Sequence, residues 1–126
     1  MKPANDGYVL LVEDDDDLAE ILASALEDAG YRIVVARNGA EALRTTATAM
    51  PALVLLDMFM PIMDGFEFAR RFEAHHGRAA PIVVMTASEH AHKLADQVGA
   101  DDVLAKPFGT SSLLRIVSRF VRANGS

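Results

Sequence analysis

An open α/β domain with a five-stranded parallel sheet and helices on both faces is what this chain predicts. Five short apolar runs recur along its 126 residues, each followed by a stretch with apolar side chains at helical spacing. The first and third runs are apolar at every position, the pattern of strands covered on both faces. Strict strand–helix alternation then makes the sheet parallel, because each helical crossover returns the chain to the same end.

Tyr8–Val12 opens the series as the first strand. Leu18, Ile21, Leu22, Ala25, Leu26 and Ala29 follow at helical spacing, and Gly30 supplies the stop just past the helix. Tyr31–Ala36 is the second strand. Asn38-Gly39 can start the next helix, with Ala40, Leu43 and Ala47 inward and an end before Pro51. Ala52–Leu56 is the third strand. The loop "DMFMPIMDG", Asp57 to Gly65, leads into a helix carrying Phe68, Ala69 and Phe72. Pro81–Met85 is the fourth strand, Ala91–Val98 a short helix closed by Gly99, and Asp102–Ala105 the fifth strand. A last helix from about Ser111 places Leu113, Leu114, Val117, Phe120 and Val121 on its apolar side. The expectation is one domain over residues 1–126, with a core at about 8–121 and frayed ends.

Composition narrows the function classes. Half of the residues are apolar, which opposes disorder, and no apolar run reaches the roughly 18 residues a membrane span needs. The absence of cysteine excludes disulfides and thiolate zinc sites and fits a cytoplasmic protein. A net charge of −6 opposes direct nucleic-acid binding.

The polar residues collect at strand ends. Glu13 and Asp14 follow strand one, Asp57 strand three, Thr86 strand four and Lys106 strand five. In a parallel sheet all five share the carboxyl rim, where such folds bind ligands. Three carboxylates against one ammonium leave about −2, and two like charges at 4 Å repel by about 4 kcal/mol at an effective dielectric of 20. A divalent cation relieves that repulsion, and oxygen donors without cysteine or inward histidine favour magnesium. In the run "EDDDD", Glu13 and Asp14 face the pocket, while Asp16 and Asp17 suit the positive end of the helix dipole. Asp15 fits either role. A solvated acidic cap is the plain alternative for all five, but Asp57, Thr86 and Lys106 at matching strand ends weigh against it.

Met58, Met60 and Met63 are expected to pack rather than to bind a soft metal. His75, His76, His90 and His92 lack the spacing that pairs two ligands on a helix face and are expected at the surface. Gly65 is expected to permit tight entry into the third helix. Ala87 fits either room for a phosphate or ordinary loop packing.

The motifs "VLLVEDD", "LVLLDMFMPIMDG", "PIVVMTA", "GADD" and "KPF" occur together and in order. With them the chain resembles the receiver domain of two-component response regulators, from about Tyr8 to Val121. The resemblance implies a flavodoxin-like (βα)5 fold with strand order 2-1-3-4-5. It implies phosphoryl transfer onto Asp57 from a phosphohistidine on a sensor histidine kinase or a histidine phosphotransfer protein. Asp57 and Asp14 would ligate Mg2+ together with the backbone carbonyl of Phe59, and Glu13, where many relatives have Asp, would hold magnesium-bound water. Thr86 would bond a phosphoryl oxygen, and Lys106 would pair first with the carboxylate and then with the phosphate. A cis Lys106–Pro107 bond is also implied. Such a domain assists its own phosphorylation without being a turnover enzyme. It is not expected to touch nucleic acid or membrane directly.

Two other readings compete. A flavin binder of the same architecture would want a hydroxyl- and glycine-rich loop after strand one, where this chain has acids. A receiver that binds without being phosphorylated is opposed by the intact Asp57, Thr86 and Lys106. The chain departs from the family pattern at Val103, where many receivers carry Tyr or Phe, and in a segment after Thr86 about two residues shorter than the common pattern. Both departures predict a monomer or weak dimer, suited to a stand-alone or relay receiver. No output domain is visible within these residues, which fits a stand-alone receiver, a relay intermediate or an excerpt of a larger regulator or hybrid kinase.

Overall fold

The computed structural model describes residues 7–122. The expectation of frayed ends falls on residues 1–6 and 123–126, outside the described residues. Five units alternate along the chain: β1 (Val9–Val12), α1 (Asp16–Asp28), β2 (Ile33–Ala36), α2 (Gly39–Thr48), β3 (Leu53–Asp57), α3 (Gly65–His76), β4 (Ile82–Thr86), α4 (Ala91–Val98), β5 (Asp102–Ala105) and α5 (Thr110–Ser118). The strands form one sheet in the order β2-β1-β3-β4-β5, every pair parallel, as the resemblance implied. The chain winds outward to β2 and then back past β1 to β3, so the order reverses between β1 and β3. That reversal opens a crevice beyond their carboxyl ends.

Strand side chains point alternately to the two faces, which divides the core in two. Val9, Leu11, Leu53, Leu55, Val83 and Met85 pack with Leu22 and Leu26 of α1 and Leu113 and Val117 of α5. Leu10, Val12, Val54, Leu56 and Val84 pack with Ala42 of α2, Phe68 and Phe72 of α3 and Ala95 of α4. Both faces are covered, which is why the central strands need apolar residues at every position.

Several expected details shift. β2 is an edge strand and starts at Ile33, not Tyr31; Val34 and Val35 are partly exposed because only one neighbour covers it. β3 and β4 end one residue later than expected, so Asp57 and Thr86 are terminal strand residues rather than the first loop residues. α1 begins at Asp16 and buries Ala19, Leu22 and Leu26. Ile21 is 64% exposed, because it lies about 100° around the helix from Leu22. Ala29 is the exposed C-terminal cap. In α2 the inward residues are Gly39, Ala42 and Thr46, and Ala47 is exposed. The phase is set by Gly39, whose N–H donates to the Met63 carbonyl at 2.9 Å and where a Cβ would stand 2.7 Å from Met63 Cγ. Buried Thr46 satisfies its hydroxyl on the Leu43 carbonyl at 3.1 Å.

α4 has the expected span, and Gly99 ends it in the left-handed conformation at φ 67°. It lacks a side-chain cap at its start and fully buries only Ala91 and Ala95, with Val98 packing partly against the same core. α5 stops at Ser118; Phe120 lies in the following turn and Val121 is buried beyond it. His75, His90 and His92 are exposed, but His76 is half-buried with its ring 5.2 Å from Phe72. Met58 is fully buried, and Met60 and Met63 pack against the same core.

Candidate functional site

The crevice between β1 and β3 gathers the residues that the sequence placed on one rim. Glu13 continues the ladder one residue past β1, its N–H donating to the Ala36 carbonyl at 3.0 Å, and its side chain is buried. Asp14, the next residue, is exposed. Asp57, closing the central strand, is 6% exposed. One oxygen of each of these three carboxylates can be chosen so that all lie within 4.8 Å of one another. Thr86 is buried at the end of β4, its Oγ1 accepting the Ser88 N–H at 3.2 Å. The Thr86 carbonyl accepts the Lys106 N–H at 2.8 Å, which ties the residue after β5 to the end of β4. The Lys106–Pro107 bond is cis.

Charge at the site is unevenly shared. Lys106 Nζ donates to Glu13 Oε1 at 2.8 Å and stands 3.8 Å from Asp57 Oδ2, so its hydrogen bond goes to Glu13. Asp57 Oδ1 accepts only a long bond, 3.4 Å, from the Phe59 N–H. Burial, and then the charge of Glu13, push the Asp57 carboxyl up to about 6, while Lys106 and the Phe59 N–H pull it back. Asp15, which the sequence left open, caps α1: its Oδ1 accepts the Leu18 N–H at 3.1 Å. Asp16 and Asp17 occupy the first turn of α1, and Asp16 pairs with Arg37.

The loop after Asp57 is held tightly. Asp64 caps α3 through a 2.9 Å bond from the Glu67 N–H, and the Gly65 N–H donates to the Met58 carbonyl at 3.0 Å. Gly65 is needed for close approach rather than for a turn conformation, since a Cβ there would lie 2.6 Å from the Asp57 carbonyl oxygen. At the loop apex the Met63 N–H donates to the Pro61 carbonyl at 2.8 Å across Ile62, which has φ 69°. That is the geometry of a tight three-residue turn, costly for a β-branched residue.

Sequence reasoning missed the apolar collar of the site. Ile62 is 85% exposed, and Phe59, 59% exposed, packs edge-on to Phe66 at 6.0 Å. On the other side a groove of ≈ 420 Å³ runs between α1 and the loop after β5, lined by Leu18, Ile21, Leu22, Ala87, Lys106, Pro107, Phe108 and Thr110. Helical periodicity assigned Ile21 to the core, and no sequence signal marked it as part of a surface groove.

The sheet order thus reverses at an acidic crevice, with Lys106, Thr86 and Asp57 on one rim. The chain belongs to the response regulator receiver domain family, which it matches over residues 9–118. It is 40% identical over 116 residues to the KDP operon transcriptional regulatory protein KdpE of Escherichia coli (strain K12), covering 88% of this chain and 51% of that protein. Among solved structures it is similar to the chemotaxis protein CheY4 of Vibrio cholerae, at 31% identity and TM-score 0.83, covering 92% of this chain and 99% of that one. The receiver domain of the sensor histidine kinase PA1611 of Pseudomonas aeruginosa PAO1, solved with a magnesium ion coordinated in the active site cleft, also matches at 31% identity and TM-score 0.83 over 91% of this chain and 97% of that one. The chain spans about half the length of the first curated relatives it matches, 53%, 51% and 50%. Among the described residues, no helix is long and apolar enough to cross a membrane.

Proposed function

We propose that Asp57 accepts a phosphoryl group from a phosphohistidine of a sensor histidine kinase or histidine phosphotransfer protein, and that this domain relays the signal as a cytoplasmic switch rather than as a turnover enzyme. One observation carries the reading: a carboxylate ends the central strand, nearly buried, beside two further carboxylates and a lysine. A carboxylate is a competent nucleophile for phosphoryl groups. In the step an Asp57 oxygen forms a bond to phosphorus, the phosphorus–nitrogen bond breaks, and the electron pair stays on the histidine nitrogen, which takes a proton.

Three oxygen-bearing carboxylates within 4.8 Å of one another fit a hard divalent cation. Asp14, Asp57 and the carbonyl of Phe59 would hold Mg2+, with Glu13 holding one of its waters. Magnesium bound there supplies positive charge against the oxygens of the transferring group. Lys106, 3.8 Å from Asp57 Oδ2, adds a second positive charge, and the Thr86 hydroxyl offers a donor to a phosphoryl oxygen. The Phe59 N–H orients the nucleophile through Oδ1.

The test is phosphate uptake from acetyl phosphate or phosphoramidate in the presence of magnesium. Acid-stable, base-labile label is expected in the wild type and is lost in Asp57→Asn. Stoichiometric label in that variant would place the acceptor elsewhere.

A further inference from the structure

We propose that the open edge of β2 is a docking surface for a second copy of this chain, which adds its own β2 antiparallel about a two-fold axis at Val34. β2 pairs only with β1, and no strand lies beyond it among the described residues. The Val9 N–H donates to the Arg32 carbonyl and the Glu13 N–H to the Ala36 carbonyl, so Arg32, Val34 and Ala36 turn their backbone groups to β1. Those of Ile33 and Val35 therefore point outward along the edge. Just past the strand, the N–H of Arg37 is already taken by Glu41 Oε1 at 3.0 Å.

Edges of this kind are ordinarily blunted by proline, by a charged side chain within the strand or by a bulge. Ile33–Ala36 contains neither proline nor a charge, and its register with β1 runs unbroken from Val9↔Ile33 to Val12↔Ala36. Side chains alternate between the faces, so Val34 lies with Ala36 on the α2 side and Val35 with Ile33 on the α1 side. Val34 is 39% exposed and Val35 36%. Shortness alone limits this edge.

The edge is complementary to itself. When Ile33 exchanges N–H···O bonds with Val35 of the second copy, the symmetric pair does the same, and Val34 faces its own counterpart as the close, non-hydrogen-bonded pair between them. Both exposed valines are then covered, Val34 by Val34 and Val35 by Ile33. The exposed cations that flank the strand, Arg32 and Arg37, fall opposite Ala36 and Tyr31 of the second copy, so no like charges meet. A guanidinium beside the Tyr31 ring is a favourable contact. A strand of 4 residues covers far less than the about 1,200–2,000 Å² that stable interfaces bury, so the association is weak and shows at high protein concentration. β2 and β5 are opposite edges of the sheet, so pairing at β2 leaves the β5 edge free and does not rest on the reading of Asp57 as acceptor.

The chain has no cysteine, so single cysteines report the pairing. In Val34→Cys the two thiols face each other from Cα atoms about 4.5 Å apart, within disulfide reach. In Val35→Cys the counterparts are diagonal neighbours, about 7–8 Å apart and outside that reach. The two positions are almost equally exposed, 39% and 36%, so random collision would oxidise them at equal rates. With copper phenanthroline at millimolar protein, Val34→Cys is expected to form a disulfide-linked dimer on the order of tenfold faster than Val35→Cys. Sedimentation equilibrium of the wild type is expected to show a dimer fraction that rises with concentration. That fraction is lost in Val34→Glu, which sets like charges opposite one another, and persists in Val34→Thr. Equal cross-linking rates, a wild type that stays monomeric, or a dimer unaffected by Val34→Glu would overturn the proposal.

Discussion

The backbone of Gly65 at the start of α3 lies so close to Asp57 that a Cβ on the glycine would sit 2.6 Å from the Asp57 carbonyl oxygen and 2.8 Å from Met58 Cα. Both obstacles are backbone, so no side chain can turn aside. Gly65→Ala is expected to push α3 from the end of β3, lowering stability by about 1–3 kcal/mol and slowing phosphorylation. Urea unfolding with acetyl phosphate labelling checks it. Unchanged stability would mean that the helix start is not held against Asp57.

Magnesium is expected to stabilise the fold by mass action, since the assembled carboxylates exist only in the folded chain. At a hundredfold excess over the dissociation constant the gain is about 2.7 kcal/mol. Asp14 is exposed, so Asp14→Ala should fold normally and lose the gain. Thermal unfolding with and without millimolar magnesium decides; an unchanged wild-type midpoint, or an equal shift in the variant, contradicts the site.

Stability without metal should depend on pH through Asp57. Its folded-state pKa is raised from 3.8 to about 6, chiefly by burial. A raised pKa means that this group's contribution is fully present below 3.8 and is lost as pH rises through about 6. Between pH 4 and pH 7.5 the loss is on the order of 1–3 kcal/mol. Comparing wild type with Asp57→Asn in chelator isolates the effect, because the asparagine cannot titrate. Identical pH profiles would contradict it.

Val103 predicts weak self-association. It is half-buried against the core that contains Val84 and Ala95, and a β-branched side chain has few rotamers and no long lever. Activation with beryllofluoride and magnesium is expected to leave a monomer or weak dimer by analytical ultracentrifugation. A tight activated dimer through α4, β5 and α5, unaffected by Val103→Ala, contradicts this inference.

Strand order apart, the sheet was legible because short, wholly apolar runs such as "LVLL" alternate with stretches of helical spacing. The rim residues were legible because parallel strands all deliver their ends to one side. Helix phase was less so. Ile21 and Ala47 satisfy helical spacing as well as the buried residues do, and the choice is made by close contacts such as Gly39 on Met63. Asp15 could not be assigned because capping depends on backbone angles that composition does not carry. The preference of Lys106 for Glu13 over Asp57 depends on distances across the sheet and leaves no trace in spacing.

The phosphoryl group on Asp57 can be located chemically. Borohydride reduces an aspartyl phosphate to homoserine, so wild-type protein treated with acetyl phosphate and magnesium, reduced and digested, reports the acceptor by mass spectrometry. Homoserine at position 57, and at no other aspartate, is the predicted result. Homoserine at Asp14, or unmodified Asp57 under conditions that label the protein stoichiometrically, would contradict the account.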